Sequence, residues 1–261
     1  MRINDKKKNL FPVDWNDCYV VADFDRTITN GASKTSWSIL AESDLVPKEY
    51  SKERQELYDI YRPIEIDPDM PTQEKSRKVK EWFELHINLF VKYGLKEELF
   101  EKAARDLRIM EFRPGAREFL KSLYENGVPV VIISAGIGNF IECFLRNNGC
   151  LYDNIFISSN KIKFTDGIAS GVEDNIIHSL NKNEVSLPDD VKIKCDGRGH
   201  VVLLGDQISD LNMVDEAKHE GVIKVGFMTD DTAAQVDEYA KNFDIVIENG
   251  EDYIDLMDVL N

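Results

Sequence analysis

Short runs of aliphatic and β-branched residues punctuate the chain at Tyr19–Phe24, Val128–Ile133, Asn154–Ile157, Val201–Leu204, Ile223–Val225 and Ile245–Ile247. They predict strands buried on both faces. Between most of them lie stretches with apolar residues at helical spacing, such as Ala116–Glu125, Gly138–Asn147 and Asp210–Glu220. Strand and helix in alternation predict an α/β fold with a doubly wound, mainly parallel sheet.

The stretch from about Lys34 to Met110 breaks the alternation. It offers no convincing strand. Val79, Trp82, Phe83, Ile87 and Phe90 recur at helical spacing within Glu74–Val91, and Lys96–Leu107 reads as a further helix. Turn-prone Asn30-Gly31 and Arg113-Pro114-Gly115 bracket it. The division expected is an α/β core of residues 1–30 and 111–261 with a helical cap of residues 31–110. Ligands of open α/β sheets sit beyond the carboxyl ends of the strands, so an insert leaving the first strand there covers the site.

Composition narrows the partners. With 32 basic and 48 acidic residues the net charge is -16, a field that repels nucleic acid and anionic lipid. No apolar run is long enough to span a membrane, and the polar start of the chain lacks a signal segment. Cys18, Cys143, Cys150 and Cys195 form no C-x-x-C pair and read as reduced thiols of a cytoplasmic protein. An anionic substrate fits so acidic a chain when carboxylates hold a divalent cation, whose charge then dominates locally.

Three strand ends carry that chemistry. Asp23-Phe24-Asp25-Arg26-Thr27 follows the first run; two carboxylates two residues apart on a strand face one side and can divide the work of nucleophile and proton carrier. Gly205-Asp206-Gln207-Ile208-Ser209-Asp210 supplies hard oxygen ligands suited to Mg²⁺, with Asp210 one helical turn beyond Asp206. Ser134-Ala135-Gly136-Ile137-Gly138 offers a hydroxyl and backbone N–H groups for phosphate oxygens. Any one of them alone is an ordinary turn after a strand. The three in this order are not.

Together they resemble the haloacid dehalogenase superfamily, whose pattern is D-x-D-x-T, a Ser or Thr after a strand, a lysine, then G-D-x-x-x-D. The resemblance implies Asp23 as nucleophile through an aspartyl-phosphate, Asp25 as acid and base, Thr27 as support for Asp25, and Ser134, Ala135 and Gly136 as phosphate binders. It implies Mg²⁺ held by Asp23, the backbone carbonyl of Asp25, and Asp206, with Asp210 assisting. Of Lys161, Lys163 and Lys182, the last is expected as the catalytic lysine, because His178-Ser179-Leu180-Asn181-Lys182 resembles the H-x-x-N-K of the cytosolic pyrimidine 5′-nucleotidase family. The S-A-G-I-G run, Ile64-Glu65-Ile66-Asp67-Pro68, Glu74-Lys75 and Glu81-Trp82 resemble the same family. The implied substrate is a small phosphorylated metabolite, a pyrimidine nucleoside 5′-monophosphate, with Glu65 contacting the base. The family's serine after E-W is missing; His86 stands there, and its alternative is packing within the cap. Tyr58 and Tyr61 can stack on a base, whereas Trp82 and Phe83 are expected in the core. Two other functions remain open on residues alone: a phosphoserine or other small-metabolite phosphatase, and a non-catalytic binding protein, against which the four intact motif carboxylates argue.

Overall fold

The computed structural model describes residues 1–4, 12–105, 110–184, 187–248 and 252–260. Its strands are β1 (Arg2–Ile3), β2 (Cys18–Ala22), β3 (Val130–Ile137), β4 (Ile155–Asn160), β5 (Ile162–Thr165), β6 (Ile168–Val172), β7 (His200–Gly205), β8 (Gly221–Phe227) and β9 (Ile245–Ile247). Its helices are α1 (Ile39–Glu42), α2 (Lys48–Ile66), α3 (Thr72–Lys92), α4 (Glu97–Ala103), α5 (Ala116–Glu125), α6 (Gly138–Asn147), α7 (Asp189–Cys195), α8 (Val236–Asn242) and α9 (Tyr253–Leu260).

Seven strands make one sheet in the order β1-β9-β8-β7-β2-β3-β4, parallel except for β1 on β9. Each strand divides its side chains between two layers, as the pleat requires. Val20, Ala22, Val130, Ile132, Val202 and Leu204 pack with Phe119 of α5, Phe140 and Phe144 of α6 and Tyr253 of α9. Tyr19, Val21, Val131, Ile133, Val201 and Leu203 pack on the other face with Leu187, Val191 of α7 and Met213. This is the doubly wound sheet expected. Because β2 is central, with β3 on one side and β7 on the other, the ends of β2, β3 and β7 meet at one edge.

Between β2 and β3 the described residues hold α1 to α5 and no strand, α1 to α4 of them before Arg113. The two connections run side by side: Asn30 N donates to Glu111 O at 2.9 Å, Arg113 N to Ile28 O at 2.9 Å, and Thr29 bridges Phe112. Gly115 takes φ +76°, and a Cβ there would meet Ile254 N at 2.8 Å, so the return to the core needs glycine. No helix among the described residues is long and apolar enough to cross a membrane.

Three expectations change. Asp210–Glu220 is not one helix. It is two short turns, Ile208–Met213 and Glu216–Lys218, because Val214 is extended and Asp215 caps the second turn by accepting from Ala217 N. The hairpin of β5 and β6 stands outside the main sheet and was not foreseen. Of the helix expected over Lys96–Leu107, Glu97–Ala103 forms it, and residues 106–107 lie outside the described ones.

Candidate active site

The first strand ends at Ala22, one residue short of the acidic pair. Asp23 N still bonds Leu204 O of β7 at 2.9 Å; then the chain winds into a tight turn in which Arg26 takes φ 67°, rare for a side-chain-bearing residue. Thr29 Oγ1 accepts from Arg26 N at 2.7 Å, and Arg113 donates to the carbonyls of Arg26 and Thr27. Asp25 therefore reaches its place through this turn and not through strand alternation. Ser36 holds it: Ser36 N donates to Oδ1 at 3.0 Å and Ser36 Oγ to Oδ2 at 2.9 Å. Thr27 does not support it. The turn carries Thr27 inward, where its Oγ1 is buried with no hydrogen-bond partner among the described residues.

The β3 end faces this turn. Gly136 N donates to Ser134 Oγ at 3.0 Å, and Ile137 N donates to Ser36 Oγ at 3.1 Å. Ala135 O accepts from Trp37 Nε1 and Asn160 Nδ2, each at 2.8 Å. A Cβ on Gly136 would lie 2.3 Å from Ser36 Oγ, 3.0 Å from Ser134 Oγ and 3.1 Å from Asp25 Oδ2. Only glycine leaves the space into which these three oxygens converge.

Beside it stands the charged cluster. Oxygens of Asp23, Asp206 and Asp210 lie within 4.8 Å of one another, all three residues buried. Lys182, 7% exposed, donates to Asp23 Oδ1 at 2.5 Å and Asp210 Oδ1 at 3.0 Å. Lys161 instead pairs with Glu142. Burial would lower the Lys182 pKa, but Asp210 and Asp23 more than offset it and hold the ammonium charged. Burial raises Asp23 well above the usual carboxylate range despite Lys182, with Asp210 and Asp206 adding repulsion. Burial and Asp210 push Asp206 up to about 7. Burial also raises Asp25, against the pull of its Ser36 bonds.

Three carboxylates against one ammonium leave two negative charges without compensation in a desolvated place. A divalent cation fits that deficit. Asp210 has both oxygens engaged, by Lys182 and by Gln207 N. Asp23 Oδ2 and Asp206 Oδ1 have no hydrogen-bond donor among the described residues, so these two are the oxygens available to a metal.

Among the helices between β2 and β3, Glu65 lies in the last turn of α2 with its side chain 13% exposed. Its Oε1 accepts from Ser179 Oγ at 2.7 Å, and Oε2 from Arg62. His86 is buried on α3 with Trp37 and Trp82 at ring-centre distances of 5.4 and 5.5 Å. Trp82 and Phe83 are buried, as expected of core residues, and Tyr61 stacks on Trp82.

The sequence profile described as pyrimidine 5′-nucleotidase (UMPH-1) matches residues 23–261. The chain belongs to the pyrimidine 5′-nucleotidase family. It is a phosphatase, with the haloacid dehalogenase fold. Among similar proteins is the human 7-methylguanosine phosphate-specific 5′-nucleotidase, 33% identical over 250 residues that cover 93% of this chain and 82% of the relative. Its Drosophila melanogaster counterpart is 33% identical over 239 residues, 87% and 74% of the two chains. The crystal structure of cytosolic 5′-nucleotidase IIIB bound to cytidine superposes with a TM-score of 0.87 at 30% identity, covering 99% of this chain and 91% of that one. A substrate-bound phosphoserine phosphatase reaches a TM-score of 0.58 at 19% identity, covering 92% and 96%, which speaks for the fold alone.

Several residues that build this nucleotidase's site carry no motif. Ser36 and Trp37 lie in Ser33-Lys34-Thr35-Ser36-Trp37, which reads as a loop and reaches the site only through the fold. Asn160 ties Ala135 O to the Ile177 backbone in front of the lysine loop. Glu184 anchors the far side of Lys182: its carboxylate accepts from Tyr19 Oη at 2.8 Å and Asp215 N at 3.0 Å and meets His219 Nε2 at 2.9 Å. Three partners in distant segments leave no local pattern to read.

Proposed function

We propose that the chain hydrolyses nucleoside 5′-monophosphates, pyrimidine ones foremost, in the cytoplasm. Residues 31–110 act as a cap that chooses the substrate, and the remainder as the catalytic core. The observation that carries the chemistry is the single buried cluster of Asp23, Asp206, Asp210 and Lys182 facing Asp25 and Ser134 across the Gly136 cradle. Four free cysteines support a reducing compartment.

In this reading Asp23 attacks phosphorus, and the bond from phosphorus to the ribose oxygen breaks as the bond to Asp23 forms. Asp25, whose burial favours its protonated form, gives its proton to the departing oxygen. It then takes a proton from the water that releases phosphate and restores Asp23. Ser36 keeps Asp25 aimed throughout, through two hydrogen bonds. Ser134 donates to a phosphoryl oxygen while Gly136 N fixes its hydroxyl. Lys182 offsets charge on Asp23 and the phosphoryl group. Asp23, Asp206 and the Asp25 carbonyl, with Asp210 in support, would hold Mg²⁺, which would supply the neutralisation that two uncompensated carboxylates and a phosphate require.

The relatives' names divide the substrates into two classes, pyrimidine nucleotides and 7-methylguanosine phosphate. Glu65 contacts the base from the end of α2; its Ser179 and Arg62 bonds hold it at the border of cap and core. Phosphate release from CMP, UMP, phosphoserine and p-nitrophenyl phosphate, with Mg²⁺, tests the proposal. The highest kcat/KM is expected for a nucleotide. A preference for phosphoserine would replace this reading with that of a small-metabolite phosphatase.

A further inference from the structure

The cap holds buried polar atoms that lack partners. Arg54 on α2 and Trp82 and His86 on α3 are each more than nine-tenths buried. Arg54 Nε, Trp82 Nε1 and His86 Nε2 have no hydrogen-bond partner among the described residues. They share one neighbourhood. The rings of His86 and Trp82 are 5.5 Å apart, the Arg54 guanidinium carbon lies 5.3 Å from the Tyr58 ring centre, and Tyr58 is 6.0 Å from Trp82. The neighbourhood adjoins the cradle. Arg54 Nη2 donates to Ser38 Oγ at 2.7 Å, two residues beyond Ser36, and Trp37, beside His86, donates to the carbonyl next to Ser134. Desolvated polar groups without partners cost stability, so three of them together mark a place that a ligand completes.

Their chemistry limits the ligand. Burial keeps His86 neutral, its pKa pushed to about 3. A neutral imidazole has one donor and one acceptor nitrogen, so the open Nε2 donates in one tautomer and accepts in the other. The open set is therefore two donors, Trp82 Nε1–H and Arg54 Nε–H, and His86 Nε2, whose role follows its tautomer. Its charge is positive. Glu65 is matched by Arg62 and Glu81 by Lys78, while Arg54 has no carboxylate in ion-pair distance among the described residues, and a guanidinium keeps its proton in a protein.

We propose that Arg54 is a specificity-determining residue: its buried, unmatched charge admits an uncharged pyrimidine base to the cap and rejects a cationic base such as 7-methylguanine. The inference rests on the nucleotide reading above. Cytosine and uracil each present one donor group and two acceptors, which the two donors and the acceptor tautomer of His86 can satisfy. The 7-methylguanine edge presents two donors and one acceptor, and its N7 methyl group gives the ring a positive charge. Two like charges in a poorly screened interior repel far more strongly than in water.

The test is kcat/KM for CMP, UMP and 7-methylguanosine 5′-monophosphate, with Mg²⁺, for the full chain as wild type, Arg54→Leu and Arg54→Lys. Wild type should favour either pyrimidine nucleotide by about tenfold or more. Arg54→Leu should shrink that ratio and Arg54→Lys should keep it. If Arg54→Leu does not fold, wild type decides alone. As pH rises, 7-methylguanine loses its N1 proton and its net charge, so its kcat/KM relative to CMP should climb, titrations of the enzyme cancelling in the ratio. Equal or better use of 7-methylguanosine 5′-monophosphate by wild type, an unchanged ratio in folded Arg54→Leu, or a ratio flat with pH overturns the proposal. Wild type that cleaves p-nitrophenyl phosphate but no nucleotide overturns the nucleotide reading itself, and this inference with it.

Discussion

In the proposed reading the core and the cap meet across one substrate, and their polar groups are arranged on opposite plans. At the core edge the side chains nearest the nucleophile are already engaged, although Arg26 Nε and Thr27 Oγ1 lie buried and open behind them: Lys182 binds two aspartates, Ser36 binds Asp25 twice, and Gly136 N fixes Ser134. In the cap, Arg54, Trp82 and His86 each keep a buried polar atom open. The difference teaches where each task sits. Phosphoryl chemistry is the same for every substrate, so its groups can be set in advance, and preorganisation is what makes them effective. Base recognition depends on the ligand, so on the proposed reading its groups are left for the ligand to complete.

Breaking the core should therefore stop all substrates alike. Chelation is the harshest case. Exhaustive EDTA should reduce phosphate release to background for nucleotide and aryl phosphate together. Mg²⁺ should restore it and Ca²⁺ should restore less, its coordination being longer and looser. Activity that survives the chelator would show that Asp23 and Asp206 do not serve a metal. Asp25→Asn should follow, with losses of about 10²–10⁴-fold in kcat, again for both substrates. A fall confined to nucleotides would move Asp25 from proton transfer to recognition.

Breaking the cap should separate the substrates. Glu65→Gln keeps the shape and removes the charge, and a hydrogen bond to a charged group is worth about 1.5–3 kcal/mol. On that basis kcat/KM for CMP should drop roughly ten- to a hundredfold, and the ratio to p-nitrophenyl phosphate should drop with it. An equal fall for both would make Glu65 a clasp between cap and core through Ser179. The smallest effect expected is on stability. His86 has its ordinary value of 6.5 when unfolded and about 3 when folded. Below pH 6.5 the unfolded chain gains a proton that the folded one refuses. The stability is whole above 6.5 and drains as pH falls from there towards about 3. The Tm of His86→Asn should thus decline less than wild type between pH 6.5 and 4.5, and parallel curves would contradict the neutral, buried histidine.

Legibility in the sequence follows the same division. Asp23, Asp206 and Ser134 could be read because each ends a continuous apolar run, and a buried parallel strand has few other ways to appear. Lys182 needed the H-x-x-N-K resemblance, since charge alone does not separate it from Lys161 or Lys163. Helix α2 was missed because its buried positions are Tyr50, Arg54 and Tyr61, a face too polar for a hydrophobic stripe, with Pro63 inside it. The run after Asp210 looked helical through Leu211, Met213 and Val214, but Val214 has extended backbone while its side chain stays buried in the core. Ser36 was invisible for a different reason: its partners, Asp25 and Ile137 N, are brought together only by tertiary structure.

The role of Asp23 is the point on which the core's part of this account turns. Reaction with a nucleoside 5′-monophosphate labelled on phosphorus, quenched in acid within the first turnover and mapped by peptide mass, tests it directly. Wild type should carry a phosphoryl group on Asp23, sensitive to hydroxylamine, and Asp23→Asn should carry none while its turnover falls by on the order of 10⁴-fold or more. A label on another residue, or Asp23→Asn working at a near-normal rate, would contradict it.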